Sequence, residues 1–301
     1  MIQCTDGFLL LMFYLYAIGS MAGYAMQNVF LAHHARKMDG LSLAFYRNLS
    51  FVLTLLPLLI GSSQTEILAV VSQWQLLLVG GLSGGIYLMI FYASYRYLPV
   101  GIAGALARAV MTILLSAIGW VFLGDVLPPS AIALVVLIIV GSFFLAMKGV
   151  AHEHLSNRLA LGITLAITSA IPLTATNYVP AALSRITNPL VSGYFWEVSI
   201  AAGAGILLIL RWVLLRQPMQ CIDSRTFFGI ALAAAPTLIG TGFFTLATHS
   251  GPVAIVTAIG SGSLVLTSLL GWYFYRERLY WMQWVAILLV LVGVTGLKFA
   301  S

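Results

Sequence analysis

Three ionisable side chains, Arg47, Arg108 and Glu197, stand deep inside long apolar stretches of this 301-residue chain. A charge in hydrocarbon is costly, so such a residue faces a cavity or a partner and marks a functional position. At the helical rise of 1.5 Å per residue, Arg108 sits roughly 13 Å from the nearer end of its stretch, close to a bilayer midplane. Arg47 enters from the same side to a depth of about 9 Å, and Glu197 enters from the opposite side to about the same depth. Two cations against one anion leave one guanidinium over. Its planar donor fork suits a carboxylate or a similar anion. The competing arrangement is an internal Arg–Glu pair that only pins helices together, with Arg47 snorkelling to its interface. Glu197 is the only acid well inside a stretch and is the leading candidate for carrying a proton. His249, beside Gly251-Pro252, is a second proton candidate, or else an interfacial cap.

Neutral polar residues cluster at matching places. Tyr24, Gln27 and Asn28 lie in one stretch, and Thr174, Thr176 and Asn177 lie in another. Asn28 and Asn177, at equivalent places in the two stretches, either face a shared cavity or bond between helices. Tyr92 and Trp196, with Tyr87, are candidates for aromatic walls. Gly81-Leu82-Ser83-Gly84 resembles the surroundings of an intramembrane serine nucleophile, for which His249 would be the base within hydrogen-bond reach. The same small-residue spacing also lets two membrane helices approach closely. There is no Gly-x-x-x-x-Gly-Lys phosphate loop and no His-Glu-x-x-His metal site. Cys4 and Cys221 lack any pairing or ligand spacing. No catalytic residue, metal or cofactor is therefore assigned, and the expectation is a non-enzyme.

The elements that must hold these residues follow from composition. Only 7% of the residues are charged, with 14 basic and 8 acidic side chains, while 61% are hydrophobic. A soluble domain carries about a quarter charged residues. The bilayer is the solvent that fits, and about 20 apolar residues cross it as a helix. Breaks in hydrophobicity predict ten spans near 8–32, 41–60, 74–97, 99–124, 129–148, 159–182, 190–213, 225–248, 250–274 and 280–300. The first run exceeds the length of a signal-peptide core and reads as a retained span. Pro172, Pro180 and Pro236 are candidate kinks, and Trp272, Tyr273, Tyr275, Tyr280, Trp281 and Trp284 form an interfacial aromatic cluster. The net charge of +6 has no basic stripe with interleaved aromatics, which argues against nucleic acid. The partners expected are a small-molecule substrate and the lipid bilayer, with monomer and homodimer both open.

An internal repeat organises the chain. Trp120 and Trp272, Asp125 and Glu277, and Gly141 and Gly293 are each separated by 152 residues. The halves 1–150 and 151–301 would each hold five spans. An odd number inverts the second copy relative to the first, and inverted repeats with a midplane site between them are a recurrent transporter architecture. Asp125 and Glu277 fall at equivalent junctions, where a carboxylate suits the positive N-terminal end of the following helix. Arg36, Lys37, Arg96, Lys148, Arg158, Arg211, Arg216, Arg225, Arg276 and Arg278 fall on one side, against Arg185 and Lys298 on the other. The positive-inside rule then puts both termini outside the cytoplasm.

The segment Phe91-Tyr92-Ala93-Ser94-Tyr95-Arg96-Tyr97-Leu98-Pro99-Val100, followed by Leu123-Gly124-Asp125, resembles the EamA-type family of the drug/metabolite transporter superfamily. A degenerate copy runs from Leu246 through His249-Ser250-Gly251-Pro252 to Glu277, which makes Pro99, Pro252, Asp125 and Glu277 the structural residues of the motif. The chain departs from the family pattern at Asp125, where Glu is usual, and near Thr112 and Leu264, where a proline is frequent. The resemblance implies an all-α integral membrane fold of ten helices in two inverted halves, and alternating-access transport of a small metabolite across the cell membrane. Together with the charges, it favours an amino acid or related carboxylate. Export of cationic drugs by the same fold, a lipid scramblase, and a protease using Ser83 are the alternatives.

Overall fold

The computed structural model describes residues 2–35, 37–98, 100–147, 157–275 and 281–300, and among these the only regular structure is helical. The helices are α1 (Ile2–Ala35), α2 (Gly40–Thr54), α3 (Gln64–Ser72), α4 (Trp74–Ser94), α5 (Val100–Phe122), α6 (Pro129–Met147), α7 (Asn157–Ile186), α8 (Pro189–Leu215), α9 (Ser224–Ala234), α10 (Thr237–Ser250), α11 (Val253–Ser261), α12 (Ser263–Tyr275) and α13 (Trp281–Ala300). Five stretches of described residues are long and apolar enough to cross a membrane: Trp74–Ser94, Ile102–Phe122, Ala160–Ile186, Pro189–Leu215 and Ser224–Ser250. The chain is a multi-pass membrane protein.

Local chemistry accounts for the helix starts. Asp39 caps α2 by accepting from the backbone N–H groups of Leu41 and Ser42, both at 3.1 Å. Ser63 and Glu66 form a reciprocal capping box at α3. Asn188 caps α8, whose first residue is Pro189, a position where the missing N–H costs no bond.

Several elements depart from the expected spans. The second stretch ends as a helix at Thr54 and continues as a 3-10 turn over Leu56–Leu59, because Pro57 cannot supply the next helical N–H. The short α3 precedes α4 and lies outside all ten expected spans. The eighth stretch breaks between α9 and α10 at Pro236, as expected of a kink, whereas α7 runs unbroken through both Pro172 and Pro180. The ninth breaks into α11 and α12 at Gly262. Pro99, Arg276, Glu277, Arg278 and Tyr280 lie outside the described residues, so the second-half acid of the repeat has no structural account.

Helix packing carries the repeat into three dimensions. α4 packs against α7 and α8, α1 against α10 and against α11 and α12, α5 against α7, α2 against α8, and α6 against α13. Exchanging each helix for its counterpart 152 residues away largely preserves this set: α4 on α7 becomes α10 on α1, α5 on α7 becomes α11–α12 on α1, and α4 on α8 becomes the smaller contact of α9 on α2. The main partners of the first half therefore belong to the second. At the α4–α8 crossing no side chain intervenes. A Cβ placed on Gly203 would meet the Gly81 carbonyl oxygen at 2.0 Å, so this approach requires glycine. Ser83, one turn along, hydrogen-bonds the carbonyl of Val79 at 2.6 Å within its own helix. Large apolar side chains such as Ile171, Ile209, Trp212 and Leu288 remain exposed on the outside of the bundle, where acyl chains would cover them.

Candidate functional site

Where the two halves meet, eight helices enclose a polar cavity of about 90 Å³. That volume holds roughly half a dozen waters, or a molecule with a comparable number of heavy atoms. Tyr24, Gln27 and Asn28 reach it from α1, at the three- and four-residue spacing that shares one helix face. Arg47 comes from α2, Tyr92 from α4, Arg108 from α5, Asn177 from α7, and Trp196 and Glu197 from α8. All nine residues singled out from the sequence for the site line this one cavity. Tyr87 and Phe91, whose rings stack at 5.1 Å, and Phe244, which lies 5.9 Å from Trp196, complete an aromatic lining.

Glu197 is 1% exposed and fully engaged. Its Oε1 accepts from Thr241 at 2.9 Å, and its Oε2 accepts from the Asn48 amide at 3.0 Å. The same amide reaches the Glu197 main-chain oxygen at 3.1 Å. The Tyr24 hydroxyl is 3.0 Å from Thr241. Since the single Thr241 proton goes to Glu197, Tyr24 donates to Thr241, and a relay runs Tyr24 to Thr241 to Glu197.

Arg47 is also built into the wall. It donates from Nη1 to Asn48 Oδ1 at 2.9 Å and from Nη2 to Gln27 Oε1 at 3.1 Å, and its guanidinium lies 4.8 Å from the Phe51 ring centre. Thr237 donates to the same Gln27 oxygen. The Arg47 Nε is buried without a partner. Asn48 therefore stands between the charges, accepting from the cation and donating to the anion. No direct ion pair joins Glu197 to either arginine among the described residues, whose two ion pairs are Arg185–Asp125 and Arg211–Asp39.

Arg108 differs from Arg47. It is partly exposed to the cavity, its guanidinium lies over the Tyr24 ring at 6.0 Å, and no side chain or carbonyl among the described residues accepts a hydrogen bond from it. The cavity thus offers one uncommitted planar cation beside an aromatic wall, with a committed carboxylate nearby.

Other expectations resolve differently. His249 is exposed at the end of α10, outside the cavity, where its Nδ1–H donates to the Ser184 carbonyl. It shares no hydrogen bond with Ser83. Asp125 does not cap the helix that follows it. Its Oδ2 accepts from the Val253 N–H at 2.8 Å, at the start of α11 in the other half, and its Oδ1 accepts from Arg185. Pro252 immediately precedes α11. Cys221 is a free, exposed thiol.

Two residues that organise the site, Asn48 and Thr241, were not anticipated. Thr241 had a signal: Thr237, Thr241 and Thr245 recur every four residues and are all fully buried on one face of α10. Asn48 had none beyond its adjacency to Arg47.

Comparison with known proteins gives a consistent family. Residues 11–147 and again 153–299 match the family described as the EamA-like transporter family. A solved structure titled only "Crystal structure of protein" superposes with a TM-score of 0.69 at 17% identity, over 93% of this chain and 94% of that one, which speaks to the fold. No curated protein sequence matches.

Proposed function

The chain belongs to the EamA-like transporter family, and from that premise we propose that it is a secondary transporter that moves a small carboxylate-bearing metabolite by alternating access. The observation that carries the substrate class is Arg108: a guanidinium facing the cavity with no acceptor among the described residues. Arg offers two parallel donors that match a carboxylate. The aromatic lining excludes a strongly hydrated inorganic ion and favours a molecule with an apolar or planar portion. Arg47 acts as wall and as a positioning residue for Gln27 and Asn48. Glu197, through Thr241 and Tyr24, is the group placed to exchange a proton with the cavity.

In this reading the described helices group into ten spans, with α9–α10 and α11–α12 each forming one, and the halves 1–150 and 151–301 have opposite orientations in the membrane. The excess of Lys and Arg on the α1–α2 side assigns that face to the cytoplasm. The test is counterflow in proteoliposomes. Vesicles preloaded with an unlabelled carboxylate should accumulate the labelled compound saturably, and Arg108→Ala vesicles should not. Saturable exchange of organic cations or neutral sugars, with none of carboxylates, would refute the assignment.

A further inference from the structure

α5, α7 and α11 each run from the cavity towards the membrane face that carries the α7–α8 turn, and on that face Asp125 and Arg185 form an ion pair between the halves. The arrangement begins with the Gly-Asp pair after α5. Gly124 takes a left-handed φ of +70°, which ends the helix. The Asp125 N–H then returns to the Gly119 carbonyl at 3.1 Å, a closure over seven residues that turns the carboxylate back under the bundle. There its Oδ2 takes the Val253 N–H of α11, and its Oδ1 takes Arg185 Nη2 at 2.8 Å. Arg185 spends its other donors on carbonyls left unpaired at helix ends: Leu123 at 3.0 Å, Thr248 at 3.2 Å and Gly251 at 3.2 Å.

Directly beneath lies a small apolar layer separate from the main core. Leu115, Ala181 and Val253 are each 0% exposed, with Ile118 and Tyr178 packed against them. One turn further in, the same three helices present Met111, Asn177 and Val256 to the cavity. Clasp, apolar layer and cavity are thus consecutive turns of the same elements. In the opposite direction the cavity adjoins a second, smaller space lined by Asn28, Tyr95, Gly104 and Thr267.

We propose that the Arg185–Asp125 clasp, with the Leu115–Ala181–Val253 layer under it, is the gate that closes the cavity to the α7–α8 face and must separate in each transport cycle. The clasp suits this role because its bonds are cooperative. Moving α5 away from α7 and α11 removes the Asp125 and Leu123 acceptors from Arg185 together, so the gate has two discrete states. The inference rests on the transport reading, and the test separates the two.

In the full chain carrying Cys4→Ser and Cys221→Ser, Ser20→Cys, a near-isosteric change at a lining position outside the nine site residues, places one thiol in the cavity. A membrane-impermeant thiol reagent is applied from the α7–α8 face. Asp125→Asn keeps an oxygen for the Val253 N–H and removes the charge; it should raise the labelling rate about tenfold, the population shift produced by ~1.4 kcal/mol. An unchanged rate in a variant that unfolds at the parent temperature overturns the proposal. A second arm strengthens the gate instead of weakening it. A Cβ on Gly119 would lie 2.7 Å from Val253 Cγ1 and 3.0 Å from Asp125 Oδ2, so Gly119→Cys with Val253→Cys is placed to cross-link, and the reduced protein serves as the control for any shift of that carboxylate. Oxidation should stop turnover and reduction should restore it, while labelling from the opposite face continues. Undiminished transport by the cross-linked protein overturns the proposal. If no tested solute is transported yet labelling responds to Asp125→Asn, the transport reading fails and the gate stands.

Discussion

Replacing Arg108 by alanine should weaken carboxylate binding about a hundredfold while leaving the empty protein almost as stable as before. In the unliganded site the guanidinium has no acceptor among the described residues, so its removal breaks no hydrogen bond among them. A bound carboxylate would take two charge-assisted hydrogen bonds from it, each contributing about 1.5–3 kcal/mol. A net loss near 3 kcal/mol is about two decades in Kd. The assay is thermal unfolding of purified protein against a panel of amino acids, organic acids, sugars and cationic drugs. A ligand at about 100 times its Kd stabilises by roughly 2.7 kcal/mol, and at the weakened affinity by only about 0.4 kcal/mol. Arg47→Ala is the contrast. It removes two hydrogen bonds and leaves the buried Asn48 oxygen without its donor, while Gln27 keeps the bond from Thr237, so it should lower the stability of the empty protein by about 2–4 kcal/mol. The reasoning is refuted if Arg108→Ala keeps full carboxylate stabilisation, or if the protective ligands are all cations or neutral sugars.

Other outcomes follow from the same geometry. Glu197→Gln keeps an acceptor for Thr241 and removes the titrating group; it should abolish pH-driven uptake, followed with a pH dye in the vesicle lumen, while solute exchange persists. Asp39 is held below the usual carboxylate range: burial opposes its ionisation, but hydrogen bonds from Arg211 and Ser42 outweigh that. Its contribution is complete above the unfolded pKa of about 3.9 and is lost as pH falls through the lowered folded value. The melting-temperature gap between wild type and Asp39→Asn should therefore be full at neutral pH and vanish in strong acid. Gly203→Ala should destabilise by at least about 1–3 kcal/mol, because its methyl meets the Gly81 carbonyl on rigid backbone. Gly205→Ala, whose nearest neighbour is the Phe45 ring at 3.3 Å, should cost clearly less in the same unfolding experiment.

Much of the site was legible because hydrocarbon makes polar residues informative. In apolar helices Arg47, Arg108, Glu197, Gln27 and Asn177 had few places to go, and all line one cavity. Pairing was less legible. Opposite charges suggested a direct Arg–Glu contact, but Asn48 is short enough to fit between them and supplies both a donor and an acceptor. The 152-residue offset located Asp125 at a helix junction, yet could not show that the carboxylate serves a helix 128 residues away, since that depends on how the halves are packed. Prolines were only partly legible: Pro236 separates two helices as expected, while Pro172 and Pro180 sit inside a continuous α7.

The exchange-symmetric packing has a consequence for how the chain is made. α4 and α5 wait for α7, α2 waits for α8, α1 waits for α10, and α6 waits for α13. Asp39 and Asp125 find their cations only in Arg211 and Arg185, and the Asn48 amide finds its acceptor only in Glu197. An emerging first half is thus a set of inserted helices with unclaimed faces and unmatched polar groups. These faces can be covered only after the second half has been made, and α6 gains its main neighbour only with α13, the last twenty residues described.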